Sequence, residues 1–580
     1  MPRLAQEKFS ELIGASNKIV AIFPTGYGKT SFFLHHKDQL ERLGRLIHVL
    51  PLQAIVYELY RKLKDAGFDV GYQMALEIPN GDKRPFLSKP YMVTTIDSFA
   101  LDFYGIPVRE IFRSKWHSDL AFLLARDANL ILDEFHLMTS IEAEDTEKEF
   151  LKVIEIAKDV LAHTRKKKII MTATLSPSII DEISPNATVL LLAPETHPFL
   201  YALKNRNNRV VAIWSKDDDF IEKFRYYTEK VRTYIVEVNN DKDICKLLNQ
   251  LENKKTLVLL NHAHRVEKLV KGSAHCFIHG LFGNESKLKF FEKIGSEKVL
   301  FSTQVVEAGT NLDFDVIITD VAPAFALIQR VGRVCRYLPR DAEIYIVKHN
   351  IEKQIKGVYC FDITKKTIEE LEKNSNEVTL FNKFKAKEIK INWRLAEEKR
   401  DQYDYLKLLL AVDDSVSSLL LNKKRDVEED LKLLTSLTLE PDKVVEILDR
   451  KFEGSFIRSS SLFPLILEKD GHSDVVPVDV GRFYKLFKNS EALEFQYLVI
   501  SSDKIEVKTF KVQKEKLSYV LQHPLIFMRK IMRSIRNEEK SKDNLSGYLK
   551  IVGKGFKVNE EKVGVEEING GKYYYLRLVE

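Results

Sequence analysis

Cysteine is scarce in this chain. Its four cysteines, Cys245, Cys276, Cys335 and Cys360, show no C-x-x-C spacing, which argues against a zinc ribbon and against a disulfide framework. Long uninterrupted apolar stretches and a signal-like N-terminus are also lacking, so the expectation is a soluble protein of the reducing cytoplasm with no membrane partner. Neither an internal repeat nor a low-complexity tract is present. Charge imbalance is slight: a net charge of +6 and a pI near 8.7 favour polyanions without requiring one. Length is what the chain has in excess. At 580 residues, 44% hydrophobic and 30% charged, it is too long for one core and predicts three or four domains.

An ordered series of short motifs carries the chemistry. The run Ile19-Val20-Ala21-Ile22-Phe23 precedes Pro24-Thr25-Gly26-Tyr27-Gly28-Lys29-Thr30-Ser31, which reads as strand, glycine-rich loop and helix, the context of a phosphate-binding loop. Gly26 and Gly28 let backbone N–H groups turn onto phosphates, the following helix adds its positive end, and Lys29 reaches the outer phosphates. Thr30 supplies a hydroxyl for magnesium. Phe23 departs from the strict pattern, which has glycine or alanine there.

Asp133-Glu134-Phe135-His136 follows the short apolar run Leu130-Ile131-Leu132, a buried parallel strand whose carboxyl end is where open α/β sheets bind ligands. Asp133 is expected to hold magnesium through water, and Glu134 to polarise the water that attacks the γ-phosphate. His136 reads as a coupling residue facing a second domain. Thr172-Ala173-Thr174 ends another apolar strand, Ile169-Ile170-Met171, and Thr172 and Thr174 are candidates to link the nucleotide side to the nucleic-acid side. Gln329-Arg330-Val331-Gly332-Arg333-Val334-Cys335-Arg336 predicts a helix with Gln329, Arg333 and Arg336 on one face. Its guanidinium groups suit arginine fingers that neutralise a phosphoryl transition state from a second domain. Thr303-Gln304-Val305-Val306-Glu307-Ala308-Gly309-Thr310 follows the strand Val299-Leu300-Phe301-Ser302 and could touch both ATP and a sugar-phosphate backbone.

These motifs resemble those of superfamily 2 helicases, and among them the CRISPR-associated helicase of type I interference. Narrower support lies in Leu50-Pro51-Leu52-Gln53, Thr94-Thr95-Ile96-Asp97-Ser98-Phe99, the Thr303 to Gly309 stretch, and Pro323 ahead of Leu327-Ile328-Gln329-Arg330. Arg3 and Gln6 resemble the family's adenine-reading element. The resemblance covers roughly the first 340 residues; where the family often writes Ser-Leu-Asp, this chain has Gly309-Thr310-Asn311-Leu312-Asp313. It implies two RecA-like lobes with ATP and Mg2+ between them, bound by Arg3, Gln6, the loop from Pro24 to Ser31, and Gly309. It also implies single-stranded DNA gripped near Pro51, Thr94, Thr95 and Thr303, and movement from 3′ to 5′. Many relatives carry an HD-type nuclease domain ahead of the helicase. Lys29 lies close to Met1, so the expectation is a split system: a helicase subunit with a separate HD-type nuclease and a guide-RNA surveillance complex as partners. An RNA helicase and an ATP-gated nucleic-acid clamp stand as alternatives.

The expected organisation is an α/β protein: lobe 1 over residues 1–200, lobe 2 over 201–350, a helical linker over 351–450, and a mixed α+β accessory domain over 451–580. The second alternating series begins near Val210-Val211-Ala212-Ile213 and ends near Val347. Near the far end, Asn569-Gly570-Gly571 between two β-prone runs signals a hairpin.

Overall fold

The computed structural model describes residues 3–75, 77–78, 80–107, 117–138, 145–214, 218–251, 253–294, 297–307, 312–337, 339–399, 401–422, 431, 441–500, 504–513, 517–542, 550–568 and 570–578. Its first sheet is built from β1 (Lys18–Ile22), β2 (Leu46–Leu50), β3 (Val70–Gln73), β4 (Tyr91–Thr95), β5 (Asn129–Asp133), β6 (Lys168–Thr172), β7 (Thr188–Leu191) and β8 (Arg209–Ala212). They run parallel in the order β3-β4-β2-β5-β6-β1-β7-β8. β2, β4 and β5 are buried at every position, which is why they read as continuous apolar runs. The helices between them bury one stripe each: helix Gln53–Asp65 presents Val56, Leu59, Tyr60 and Leu63, spaced by three and four residues, to the sheet.

The second sheet contains β9 (Val231–Glu237), β10 (Thr256–Leu259), β11 (Cys276–Ile278), β12 (Val299–Ser302), β13 (Val316–Asp320) and β14 (Ala342–Lys348) in the parallel order β11-β12-β10-β13-β14-β9. β15 (Ser375–Leu380) and β16 (Phe384–Ile389) extend it as an antiparallel hairpin, with β16 on β9. Two tandem RecA-like lobes are therefore present, with boundaries that differ from the expected ones. The segment near Val210 does not open the second lobe: it is β8, an edge strand placed beside β7 by the crossover helix Pro198–Lys204. Residues 351–450 are not purely helical, because β15 and β16 pair with the second sheet, where polar alternation suits an exposed edge.

The C-terminal region is a five-stranded sheet of β19 (Leu462–Lys469), β20 (His472–Asp479), β21 (Ala492–Ile500), β22 (Ile505–Gln513) and β23 (Lys550–Lys557), preceded by the short parallel pair β17 (Ile391–Asn392) and β18 (Tyr403–Asp404). Phe463, Phe483, Phe495 and Phe556 centre its apolar core, distinct from the continuous core of the two lobes. The hairpin β24 (Val563–Ile568) and β25 (Gly571–Leu576) docks on the second lobe: Leu576 N donates to Leu281 O at 2.9 Å and Tyr575 stacks on Phe282 at 5.0 Å. On the other side Arg458 pairs with Asp97 of the first lobe at 3.0 Å, so the accessory region touches both lobes. No helix among the described residues is long and apolar enough to cross a membrane.

Candidate nucleotide site at the lobe interface

β1 delivers the chain into the loop from Pro24 to Gly28, and helix Lys29–His35 leaves it. Gly26 and Gly28 adopt φ of 81° and 100°, the left-handed region that favours glycine. A side chain at Gly28 would also press within 2.8 Å of the Ser31 hydroxyl. Phe23, the departure from the strict pattern, points into the core and stacks on Tyr27 at 5.2 Å. Tyr27 is buried and its hydroxyl accepts from Ala5 N at 3.2 Å, so its ring anchors the loop from behind. Tyr27 N closes a turn onto Pro24 O at 3.2 Å.

The helix Leu4–Ala15 brings two distant residues to this loop. Gln6 donates from Nε2 to Gly28 O at 2.8 Å and to Ser31 Oγ at 3.1 Å. Arg3 donates to Tyr27 O, and its guanidinium lies 5.0 Å and 5.2 Å from the ring centres of Tyr27 and Phe220.

Asp133 and Glu134 stand at the end of β5, facing the loop. The Lys29 ammonium contacts both Glu134 oxygens, at 3.1 Å and 3.2 Å. Glu134 has a φ of 50°, an uncommon conformation for a side-chain-bearing residue and one found where function demands it. Burial works to raise the Glu134 carboxyl, but Lys29, then His136, with Arg336 also contributing, outweigh it and hold the group below the usual carboxylate range. Burial pushes His136 down to about 4, so its ring is neutral at pH 7. His136 Nδ1 lies 3.2 Å from Thr172 Oγ1, and Thr174 N donates to the same hydroxyl at 3.2 Å. His136 thus links Glu134 to the end of β6 within the first lobe, while its short helix Phe135–Met138 packs against helix Ala324–Val331 of the second.

The arginine segment does not form the expected single helical face. Gln329 lies on helix Ala324–Val331, but Arg333 and Arg336 come after its end, because Val334 is drawn into a bridge with Phe314 and Cys335 adopts a φ of 49°. The segment runs over the phosphate-binding loop. A side chain at Gly26 would sit 3.1 Å from Arg336 O, and one at Gly332 would sit 3.0 Å from Thr25 Oγ1, so glycine permits this approach from both sides. Arg333 donates to Glu307 O, while Arg336 is close enough to Glu134 to help keep it ionised.

Residues 3–183 match the family model described as DEAD/DEAH box helicase, and residues 229–338 match that of the CRISPR-associated nuclease/helicase Cas3, C-terminal. Each of the two parallel-sheet lobes thus matches a helicase family model. The CRISPR-associated helicase Cas3 of Thermoproteus tenax is 27% identical over 378 residues, 59% of this chain and 58% of that one. The CRISPR-associated nuclease/helicase Cas3 of Methanothermobacter thermautotrophicus is 23% identical over 375 residues, 57% of this chain and 39% of that one. In both cases the chain spans less than two thirds of the relative. The crystal structure of T. fusca Cas3 with AMPPNP shares the fold, with a TM-score of 0.51 and 14% identity over 85% of this chain and 65% of that one.

Two oxygen donors of the kind a hard divalent cation takes are present, Thr30, exposed at the start of helix Lys29–His35, and the buried carboxylate of Asp133 at the end of β5. His48 of β2 was not among the expected site residues. Its Nε2 lies 3.2 Å from Asp133 Oδ2, and Glu134 N donates to Asp133 Oδ1 at 2.8 Å, so the carboxylate is oriented on both sides. The four residues expected on nucleic acid, Pro51, Thr94, Thr95 and Thr303, are buried. The Thr94 hydroxyl donates to Gln73 O at 2.9 Å and the Thr95 hydroxyl to Ser98 Oγ at 3.1 Å, so both hydroxyls are engaged inside the first lobe. The reason is local: residues at the ends of fully buried strands turn inward before the next helix begins. Gly309 lies outside the described residues.

A groove of about 1300 Å3 opens at the carboxyl ends of β9, β10 and β14. Lys242, Lys268, Lys353 and Lys356 line it, with His262 and His264 at the start of helix Ala263–Val270. This basic surface carries no sequence signature beyond scattered lysines.

Proposed function

We propose that this chain is an ATP-dependent single-stranded DNA translocase and helicase of CRISPR interference, working with a guide-RNA surveillance complex and a separate nuclease subunit. One observation carries the motor reading: the Lys29–Glu134 pair of the first lobe lies under the arginine segment of the second, with Arg336 near Glu134. Such an arrangement makes hydrolysis depend on lobe closure. ATP phosphates compete with Glu134 for Lys29, and the released carboxylate, kept ionised by its surroundings, orients the attacking water. Thr30 and Asp133 would hold Mg2+, which neutralises charge on the outer phosphates. Arg336 and Arg333 steady the charge that develops on the transferred phosphoryl group.

The same closure moves the strand ends at Pro51, Thr94, Thr95 and Thr303, and with them the neighbouring helix starts that face the bound strand. The lysine-lined groove of the second lobe supports a polyanionic substrate. Separating DNA costs on the order of 1.4 kcal/mol per base-pair step, within reach of one ATP cycle per small step.

The test is Mg2+-dependent ATP hydrolysis with no nucleic acid, single-stranded DNA, matched RNA and duplex DNA, with Lys29→Ala as control, followed by strand displacement. Selective stimulation by single-stranded DNA and 3′ to 5′ displacement support the proposal. Stimulation by RNA alone moves the substrate to RNA, and ATP-dependent binding without displacement reduces the protein to a clamp. Added nuclease and guide complex should convert displacement into degradation of the displaced strand.

A further inference from the structure

Arg394 is the least expected residue at the lobe interface. It follows β17, in Ile391-Asn392-Trp393-Arg394, and its backbone is fixed by the second lobe: Asn392 Oδ1 accepts from Arg394 N and Leu395 N, each at 3.0 Å, and Trp393 Nε1 donates to Thr233 Oγ1 at 3.0 Å. The guanidinium, 0% exposed, reaches across to the first lobe. Nη1 donates to Thr25 O at 3.0 Å and to Thr25 Oγ1; Nη2 donates to Gly332 O at 3.0 Å and Val334 O at 2.9 Å. One planar fork therefore holds the phosphate-binding loop and the arginine segment together. A flexible ammonium cannot copy this geometry.

The charge of this residue is equally unusual. Among the described residues no carboxylate forms an ion pair with Arg394, and its Nε has no hydrogen-bond partner. Burial pulls the guanidinium below its ordinary value and neighbouring Arg336 lowers it further, outweighing the opposite pull of Tyr227, Cys335 and Asp313. A buried cation satisfied mainly by main-chain dipoles is costly unless the position needs it. Here it stands behind a loop built for phosphate.

We infer that Arg394 is a positioning residue that couples the state of the phosphate-binding loop to the placement of Arg333 and Arg336. The inference rests on the ATPase reading above. Any rearrangement of Thr25 when phosphates enter is passed through one guanidinium to Gly332 and Val334, which flank Arg333. The coupling also runs in reverse: a segment displaced by an open lobe loosens the loop.

The experiment compares the wild type with Arg394→Lys and Arg394→Gln. Turnover of ATP at saturating single-stranded DNA should fall about 100-fold in both, as expected when reacting groups are misplaced by about an ångström. Affinity for a fluorescent ADP analogue should change less than about threefold, because the contacts of Lys29 and Gln6 remain. Amide exchange should rise together at residues 24–28 and 332–336 while helix Ala324–Val331 stays protected. Turnover of Arg394→Lys within about threefold of wild type overturns the inference, as does a loss that merely follows the melting temperature or nucleotide affinity. If the wild type hydrolyses no ATP under any condition, the functional reading fails, and the exchange data alone decide: a joint rise supports the coupling and unchanged exchange overturns it.

Discussion

The interior of the second lobe and the seam between the lobes each enclose a guanidinium with 0% exposure, and the two are treated differently. Arg330 sits inside one rigid body, paired with Glu307 at 2.7 Å and bonded to Asn261 at 2.8 Å, Tyr359 at 2.9 Å and Thr319 at 3.0 Å. Arg394 crosses between two bodies and meets carbonyls and a hydroxyl. A charge neutralised by a carboxylate within one lobe fastens that lobe permanently. One satisfied by dipoles on both sides of a seam can be released and remade as the lobes move.

The sharpest way to break this comparison is to remove Arg330. Arg330→Ala leaves Glu307 buried without its partner and should cost about 3–5 kcal/mol of unfolding free energy. Urea denaturation of the second-lobe signal measures it; a loss below about 1 kcal/mol would place Arg330 among replaceable contacts.

At the seam the expected damage is to chemistry. Glu134→Gln should lower ATP turnover about 100- to 1000-fold, the range seen when a single transition-state group is removed. Phosphate release and a melting curve recorded together separate the cases. A melting temperature that falls along with turnover would make Glu134 a fold residue.

His136 sharpens the comparison through pH. An unfolded histidine takes its proton near pH 6.5, whereas His136 in the folded chain takes it near 4. As pH falls through that window the unfolded state binds the extra proton, so stability is lost, by at most about 3 kcal/mol from this group. Urea midpoints at pH 7 and pH 4.5 should therefore lie closer together in His136→Gln than in the wild type.

The smallest effect is expected where the lobes meet in solvent. Arg61 of the first lobe and Glu292 of the second lie 3.3 Å apart with side chains 55% and 53% exposed. Arg61→Ala should change stability by less than about 0.5 kcal/mol, and added salt should erase even that. A larger loss would mean that the exposed bridge helps hold the lobes together.

Much of the fold was legible because buried parallel strands must be apolar throughout. β1, β5, β6, β10, β12 and β13 all coincide with such runs. β15 and β16 fell inside the expected helical linker because half-exposed edge strands lack that signal, whereas β8 was legible as an apolar run but given to the second lobe, since such a run does not say which sheet it joins. The glycine-rich loop between β1 and the next helix was readable because its signal is local: glycines, a lysine and a hydroxyl within a few residues. His48 and Arg394 were not, since neither has a neighbour in sequence that shares its task. The helical face drawn through Gln329, Arg333 and Arg336 failed because a tertiary bridge between Val334 and Phe314 ends the helix first.

The sequence by itself determined two α/β lobes and a glycine-rich loop with its lysine and hydroxyl, since strand periodicity and loop chemistry are written in adjacent residues. Tertiary structure alone decided which groups those residues face. Lys29 meets Glu134 because β1 and β5 both flank β6 in one sheet, and Arg394 reaches Thr25 across 369 positions because the second lobe closes on the first. Distances between residues far apart in the chain are fixed by packing, and packing is a property of the whole molecule.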